Sequence, residues 1–210
     1  MKISKYSFFK NILLFSLFFL FIFTLAKSYS DFIFSNISNN FLRLHIVANS
    51  DSTGDQLVKY QIRDSILNYI SPYLKNAKNK QDAINTLNNN IDEFYKISEK
   101  ILKENNLNYP IKISVGNFKF PTKDYSNFTL PEGNYDALKI ELGSSSGQNW
   151  WCVMFPSLCL IDSNNIFSSN SSIDVLNNCL NQEELSIVTK NDSSPDIKFK
   201  FKLIELIENL

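Results

Sequence analysis

The sequence predicts an α+β domain, a mostly antiparallel sheet with two long helices packed on one face, placed after an N-terminal signal or anchor segment. Three observations lead there. Lys2, Lys5 and Lys10 precede an apolar run from Ile12 to Ala26. Residues 53–73 and 81–104 each carry apolar side chains at three-four spacing, the period of a helix with one buried stripe. Much of the chain from residue 111 to 155 alternates apolar and polar residues between short turns, which is the period of strands close enough to pair antiparallel.

A chain of 210 residues forms one domain, with or without an appendage. Lys and Arg number 21 and Asp and Glu number 21, and with the three leader lysines removed the balance falls to −3. No basic stripe remains to neutralise a phosphate backbone, so nucleic acid is not an expected partner.

The first 26 residues have the layout of an export signal: a positive start, an apolar middle and small residues, Thr24 and Ala26, at the exit. Cleavage after Ala26 makes it a signal peptide; without cleavage, residues 12–26 anchor the chain in the membrane. Either outcome puts the rest outside the cytoplasm, because the lysines stay inside. Residues 27–40 mix Phe and Ile with Ser and Asn and show no sustained period, so they read as a tether. The domain then spans 41–210.

Residues 41–48 alternate, with Leu42, Leu44, Ile46 and Ala48 opposite Phe41, Arg43, His45 and Val47, and form the first strand. Asn49, Ser50, Asp51 and Ser52 supply turn and helix-capping chemistry. A helix starting at 53–55 carries Val58, Ile62, Ile66, Tyr69, Ile70 and Tyr73, with Lys59, Arg63 and Asp64 as polar flank, and Ser71-Pro72 weakens its end. A second helix over 81–104 carries Ile84, Leu87, Ile91, Phe94 and Ile101, with Ser98 as its one polar break. Ile111, Ile113 and Val115 then begin a strand that Gly116-Asn117 interrupts, residues 118–131 form an edge-like extended segment, and 135–142 form another alternating strand.

Residues 147–159 hold both tryptophans and two of the three cysteines. Trp150, Cys152 and Met154 share one face of a short strand, and Trp151, Val153 and Phe155 share the other, before Pro156 stops it. Neither face is polar. The strand is either a central core strand or an aromatic surface offered to a partner, and composition does not choose between them. Cys152 and Cys159 stand close enough in sequence for a disulfide in an exported domain, with two buried thiols as the other outcome. With one histidine and no Cys-x-x-Cys pair, neither a metal nor a cofactor is expected. Beyond Cys159, residues 160–162 finish a strand, 163–172 form a Ser-Asn loop, 173–188 hold a short helix, 197–201 form a last strand and 203–210 close the chain as a helix or its continuation.

Three blocks carry a resemblance. Residues 42–52 (LRLHIVANSDS), residues 121–125 (PTKDY) with 131–138 (PEGNYDAL), and residues 147–159 with their Asn149-Trp150-Trp151-Cys152-Val153 core resemble, in this order, the stage II sporulation protein R family. The C-terminal third departs from the family pattern. The resemblance implies a protein of the forespore, exported towards the space between forespore and mother cell. It implies a signal that activates a membrane-embedded aspartic protease, whose extracytoplasmic part is then the partner and which removes the pro-sequence of sporulation sigma factor E.

On this reading Arg43, His45, Asn49, Asp51, Tyr125, Tyr135, Asn149, Trp150 and Trp151 are candidates for the partner contact. Arg43 and His45 share a strand face, where an acid such as Asp51 would complete a polar cluster. A hydrolase is disfavoured: His45, Ser50 and Asp51 supply the residue types of a triad, but a strand running into a turn does not converge them, and no Gly-x-Ser-x-Gly elbow is present. The other reading is an extracytoplasmic wall- or membrane-binding module with Trp150, Trp151, Phe118 and Phe120 as its aromatic face.

Overall fold

A computed structural model describes residues 5–125, 127–159 and 169–189. The chain opens with helix α1 (Lys5–Asn39). From Phe9 it is long and apolar enough to cross a membrane, and its phenylalanines and leucines as far as Leu25 stand largely exposed. The helix does not stop at Ala26. Residues 27–39 continue it, and Ile33 and Ile37, one turn apart, are buried in the domain. The expected tether is therefore helical. Two apolar side chains spaced i, i+4 are enough to dock it, although they make too short a stripe to register as a period.

Strand β1 (Leu42–Val47) leads through a tight turn into α2 (Thr53–Leu74), capped by Ser52, whose side chain accepts the Asp55 N–H. The expected second helix is two: α3 (Lys80–Asn89) and α4 (Ile91–Glu104), broken at Asn90. The Asn90 side chain donates to the Thr86 carbonyl at 2.8 Å and accepts from the Tyr69 hydroxyl at 2.7 Å, so it closes α3 and holds it to α2. Strand β2 (Ile111–Phe120) runs through Gly116-Asn117 without interruption, because Asn117 pairs with Asp136 across the ladder. The two-residue strands β3 (Lys123–Asp124) and β4 (Thr129–Leu130) pair as a small ribbon, followed by β5 (Gly133–Leu142) and β6 (Asn149–Phe155). Two short helices follow, α5 (Ser169–Cys179) and α6 (Gln182–Val188), where one was expected. The elements expected at 160–162, 197–201 and 203–210 lie outside the described residues.

The main sheet has the order β2-β5-β1-β6. It is mostly antiparallel, but β1 and β5 run parallel, so it is not a simple meander. β1 enters between β5 and β6 because nearly every one of its residues is buried, and only an inner position covers both faces. Among the described residues β6 is consequently an edge strand and not the central one. Helices α2, α3 and α4 cover one face, over Leu44, Ile46, Leu138, Ile140 and Met154. The end of α1, the ribbon region and α6 cover the other, over Phe120, Tyr135, Ala137 and Val153. Helices thus lie on both faces, and the layer of two long helices becomes one long and two shorter ones.

Candidate partner-binding surface

The first and third sequence blocks meet at one end of the sheet. Asn49 leaves β1, and its side-chain oxygen accepts the Ser144 N–H at 2.9 Å while its amide nitrogen donates to Asp55 Oδ2 at 2.9 Å. The Asn49 carbonyl accepts from the hydroxyls of Ser144 at 2.6 Å and Ser146 at 2.8 Å. Asp51 reaches across to accept the Gln148 N–H at 2.7 Å. Asp55 gathers Asn49, Ser50 and Tyr109 as donors. Its burial pushes the carboxyl upward, but these hydrogen bonds outweigh burial and hold it below the ordinary value. Burial and the Asp55 charge push the Tyr109 hydroxyl up to about 12. Gly143 and Ser145 adopt left-handed backbone in the tight 143–147 turn. Lys59, nearly inaccessible, donates to the Gln148 carbonyl at 3.1 Å and Gln56 Oε1 at 2.6 Å, and burial lowers its pKa. Asn49 and Asp51 therefore build the loop that sets the start of β6.

On the sheet face away from α2, Arg43 is fully buried. Its guanidinium lies 4.2 Å from the Phe120 ring centre and 4.7 Å from that of Tyr135, and Nη2 donates to the Tyr125 hydroxyl at 2.8 Å. Its Nε and Nη1 have no hydrogen-bond partner among the described residues. Asp51 is not part of this cluster: it is engaged by Gln148 at the sheet end, so aromatic rings replace the expected acid. Burial pushes the Tyr135 hydroxyl up to about 12. Arg43, Tyr125 and Tyr135 all lie under the surface and support the face without offering themselves to a partner.

His45, two residues along β1, is half-buried. Its ring stacks on Trp151, with centres 5.6 Å apart, and its Nε2 donates to the Asn149 side-chain oxygen at 2.6 Å. Burial lowers the imidazole pKa, opposed by the Asn149 hydrogen bond and reinforced by the Lys139 and Arg43 charges. Lys123 Nζ lies 5.3 Å from the Trp151 ring centre. On the opposite face, Trp150 is enclosed by α2: the Arg63 guanidinium lies 4.3 Å from its ring centre, and Tyr60 meets it edge-on at 5.6 Å. Arg63 and Tyr60 were not legible as site residues, since they sit on the polar flank of α2. Their signal was the pairing of cations at i, i+4, Lys59 and Arg63, around a tyrosine opposite a tryptophan strand.

The strand ends in a bulge at Met154, which turns Phe155 to the helical face with Trp150 and not with Trp151. Cys152 and Cys159 are disulfide-bonded, and Cys179 is a free thiol. The aromatic face of the wall-binding reading does not assemble: Phe120 is fully buried beneath Arg43, and Trp150 and Trp151 look to opposite sides of the sheet. The triad residues do not converge either. His45 is bonded to Asn149, Ser50 to Asp55 and Asp51 to Gln148.

The blocks that interlock here fall within a longer match. The family model for stage II sporulation protein R covers residues 38–165. The chain belongs to the stage II sporulation protein R family. A curated relative, Stage II sporulation protein R of Bacillus subtilis (strain 168), is 32% identical over 185 residues, covering 83% of each chain. No solved structure matches. The family match begins at Ser38, in the last turn of α1, and takes in the whole sheet and the Asn49–Gln148 junction. The apolar helix before it fits a signal or anchor segment.

Proposed function

We propose that the chain is an exported signalling protein of endospore formation. It leaves the forespore, remains in the space between forespore and mother cell, free or held by α1, and activates a membrane-embedded aspartic protease through that protease's extracytoplasmic part. The protease then removes the pro-sequence of sporulation sigma factor E. Family membership carries this reading. The apolar α1 supports export, and the sheet end with Asn149, Trp151 and His45 supplies a partly exposed polar and aromatic surface for protein contact.

The test is co-expression of the full chain with the membrane protease and its sigma-factor precursor in a non-sporulating host, following precursor cleavage by gel. Cleavage that depends on this chain is the expected result. No cleavage, with the chain exported and folded and the protease intact, overturns the reading.

A further inference from the structure

The outer edge of β6 is open among the described residues. Antiparallel ladders alternate bonded and non-bonded pairs. The Ala48 N–H reaches the Gln148 carbonyl, which makes 48–148 a bonded pair and, in this register, 46–150 another. Asn149 and Trp151 therefore turn their N–H and C=O groups away from β1. The same alternation turns the Ile113 N–H outward on β2, and there the Tyr95 hydroxyl caps it at 3.0 Å. Val153 also faces outward on β6, and its carbonyl is taken by the Leu158 N–H. Asn149 and Trp151 have no such cap among the described residues.

Strand edges are commonly guarded by charge or proline. β6 (NWWCVMF) is the one strand of the main sheet without a charged residue. Cations flank it instead: Arg63 over Trp150 on one face and Lys123 by Trp151 on the other. Arg63 is itself largely covered and pairs with Asp64 at 2.7 Å, so Lys123 is the more available of the two cations.

We infer that the β6 edge accepts an extended acidic segment of the activated protease as an added strand, bonded through the main-chain groups of Asn149 and Trp151. This rests on the proposed activator role and specifies its contact. Strand addition draws affinity from main-chain bonds and selectivity from alternate side chains, and Lys123 beside Trp151 selects an acidic one on that face.

The test uses the full chain in detergent with and without the membrane protease, reading amide hydrogen exchange across 147–155, together with precursor cleavage by Asn149→Pro and Asn149→Ala. Both substitutions remove the side chain that binds His45, but only proline removes the outward N–H. The expected result is exchange at Asn149 and Trp151 slowed roughly tenfold or more by the protease, and cleavage by Asn149→Pro roughly tenfold below Asn149→Ala. A complex that forms and cleaves with those amides unprotected overturns edge docking and leaves the activator role standing. Amides already protected in the chain alone overturn it too, and assign the edge to a segment of the chain itself. Absence of both complex and cleavage removes the activator reading and this inference with it. The wild-type exchange decides the matter if Asn149→Pro fails to fold.

Discussion

Gly147 lies against the backbone of Ser50: a Cβ built on Gly147 would stand 2.3 Å from the Ser50 carbonyl oxygen and 2.5 Å from its carbon. The obstacle is main chain and cannot rotate aside. Gly147→Ala is expected to force the 143–148 turn off the β1–α2 junction and to cost about 2 kcal/mol or more. Urea unfolding of the purified chain checks this; an unchanged midpoint would show that the junction tolerates displacement.

Arg43 gives a contrast between two substitutions. Arg43→Ala leaves a void between Phe120 and Tyr135 and removes the hydrogen bond to the Tyr125 hydroxyl, at a cost of about 3 kcal/mol. Arg43→Met fills the space without burying a charge, and its stability should fall within about 1 kcal/mol of the parent. Thermal unfolding of both variants reads the difference. Equal losses would mean that the charge itself holds the face together.

His45 makes stability depend on pH in one direction. Its folded pKa lies below the ordinary 6.5, so the unfolded chain binds the proton first. The contribution is complete above that value and is lost as pH falls through the folded pKa. The midpoint of thermal unfolding should drop on acidification from neutrality, and His45→Gln should flatten the drop. Asp55, held below its ordinary 3.8, acts with the same sign in a separate and more acidic window. A slope unchanged by His45→Gln would remove the histidine as its source.

The end of α1 predicts a truncation boundary. A chain beginning at Lys27 keeps Ile33 and Ile37 in the core, whereas one beginning at residue 40 loses both. Each deleted buried isoleucine is worth about 2–4 kcal/mol. The longer form should unfold cooperatively at a higher temperature, and the shorter should be strongly destabilised. Similar stability in the two forms would return residues 27–39 to the role of tether.

The legible part of the fold follows from local pattern. Strand alternation at Leu42, Leu44 and Ile46, the Ser52 cap and the stripe from Val58 to Ile70 all sit where the sequence puts them. Long-range placement was not legible. Nothing in the alternation of Leu138 and Ile140 shows that β1 lies beside them in parallel, because register between distant segments is decided by packing on both faces. The run Asn88-Asn89-Asn90 lowers helix propensity, but that a helix ends there depends on Tyr69 from another helix. At the candidate surface, the residue types of Asn149, Trp151 and His45 stood out. Their division from the buried Arg43, Tyr125 and Tyr135 required the third dimension.

The unbroken course of α1 has a mechanical consequence. From Lys27 to Asn39 the helix rises about 20 Å. With the apolar segment retained, this length becomes a stiff post and not a string. It fixes the height of the sheet above the bilayer and the direction in which the β6 edge looks. If the chain acts as proposed, on a protease in the facing membrane, their encounter turns on the width of the gap between the two membranes. Removal of the segment exchanges that fixed standoff for free diffusion, so cleavage at the leader would set the range over which the signal can act.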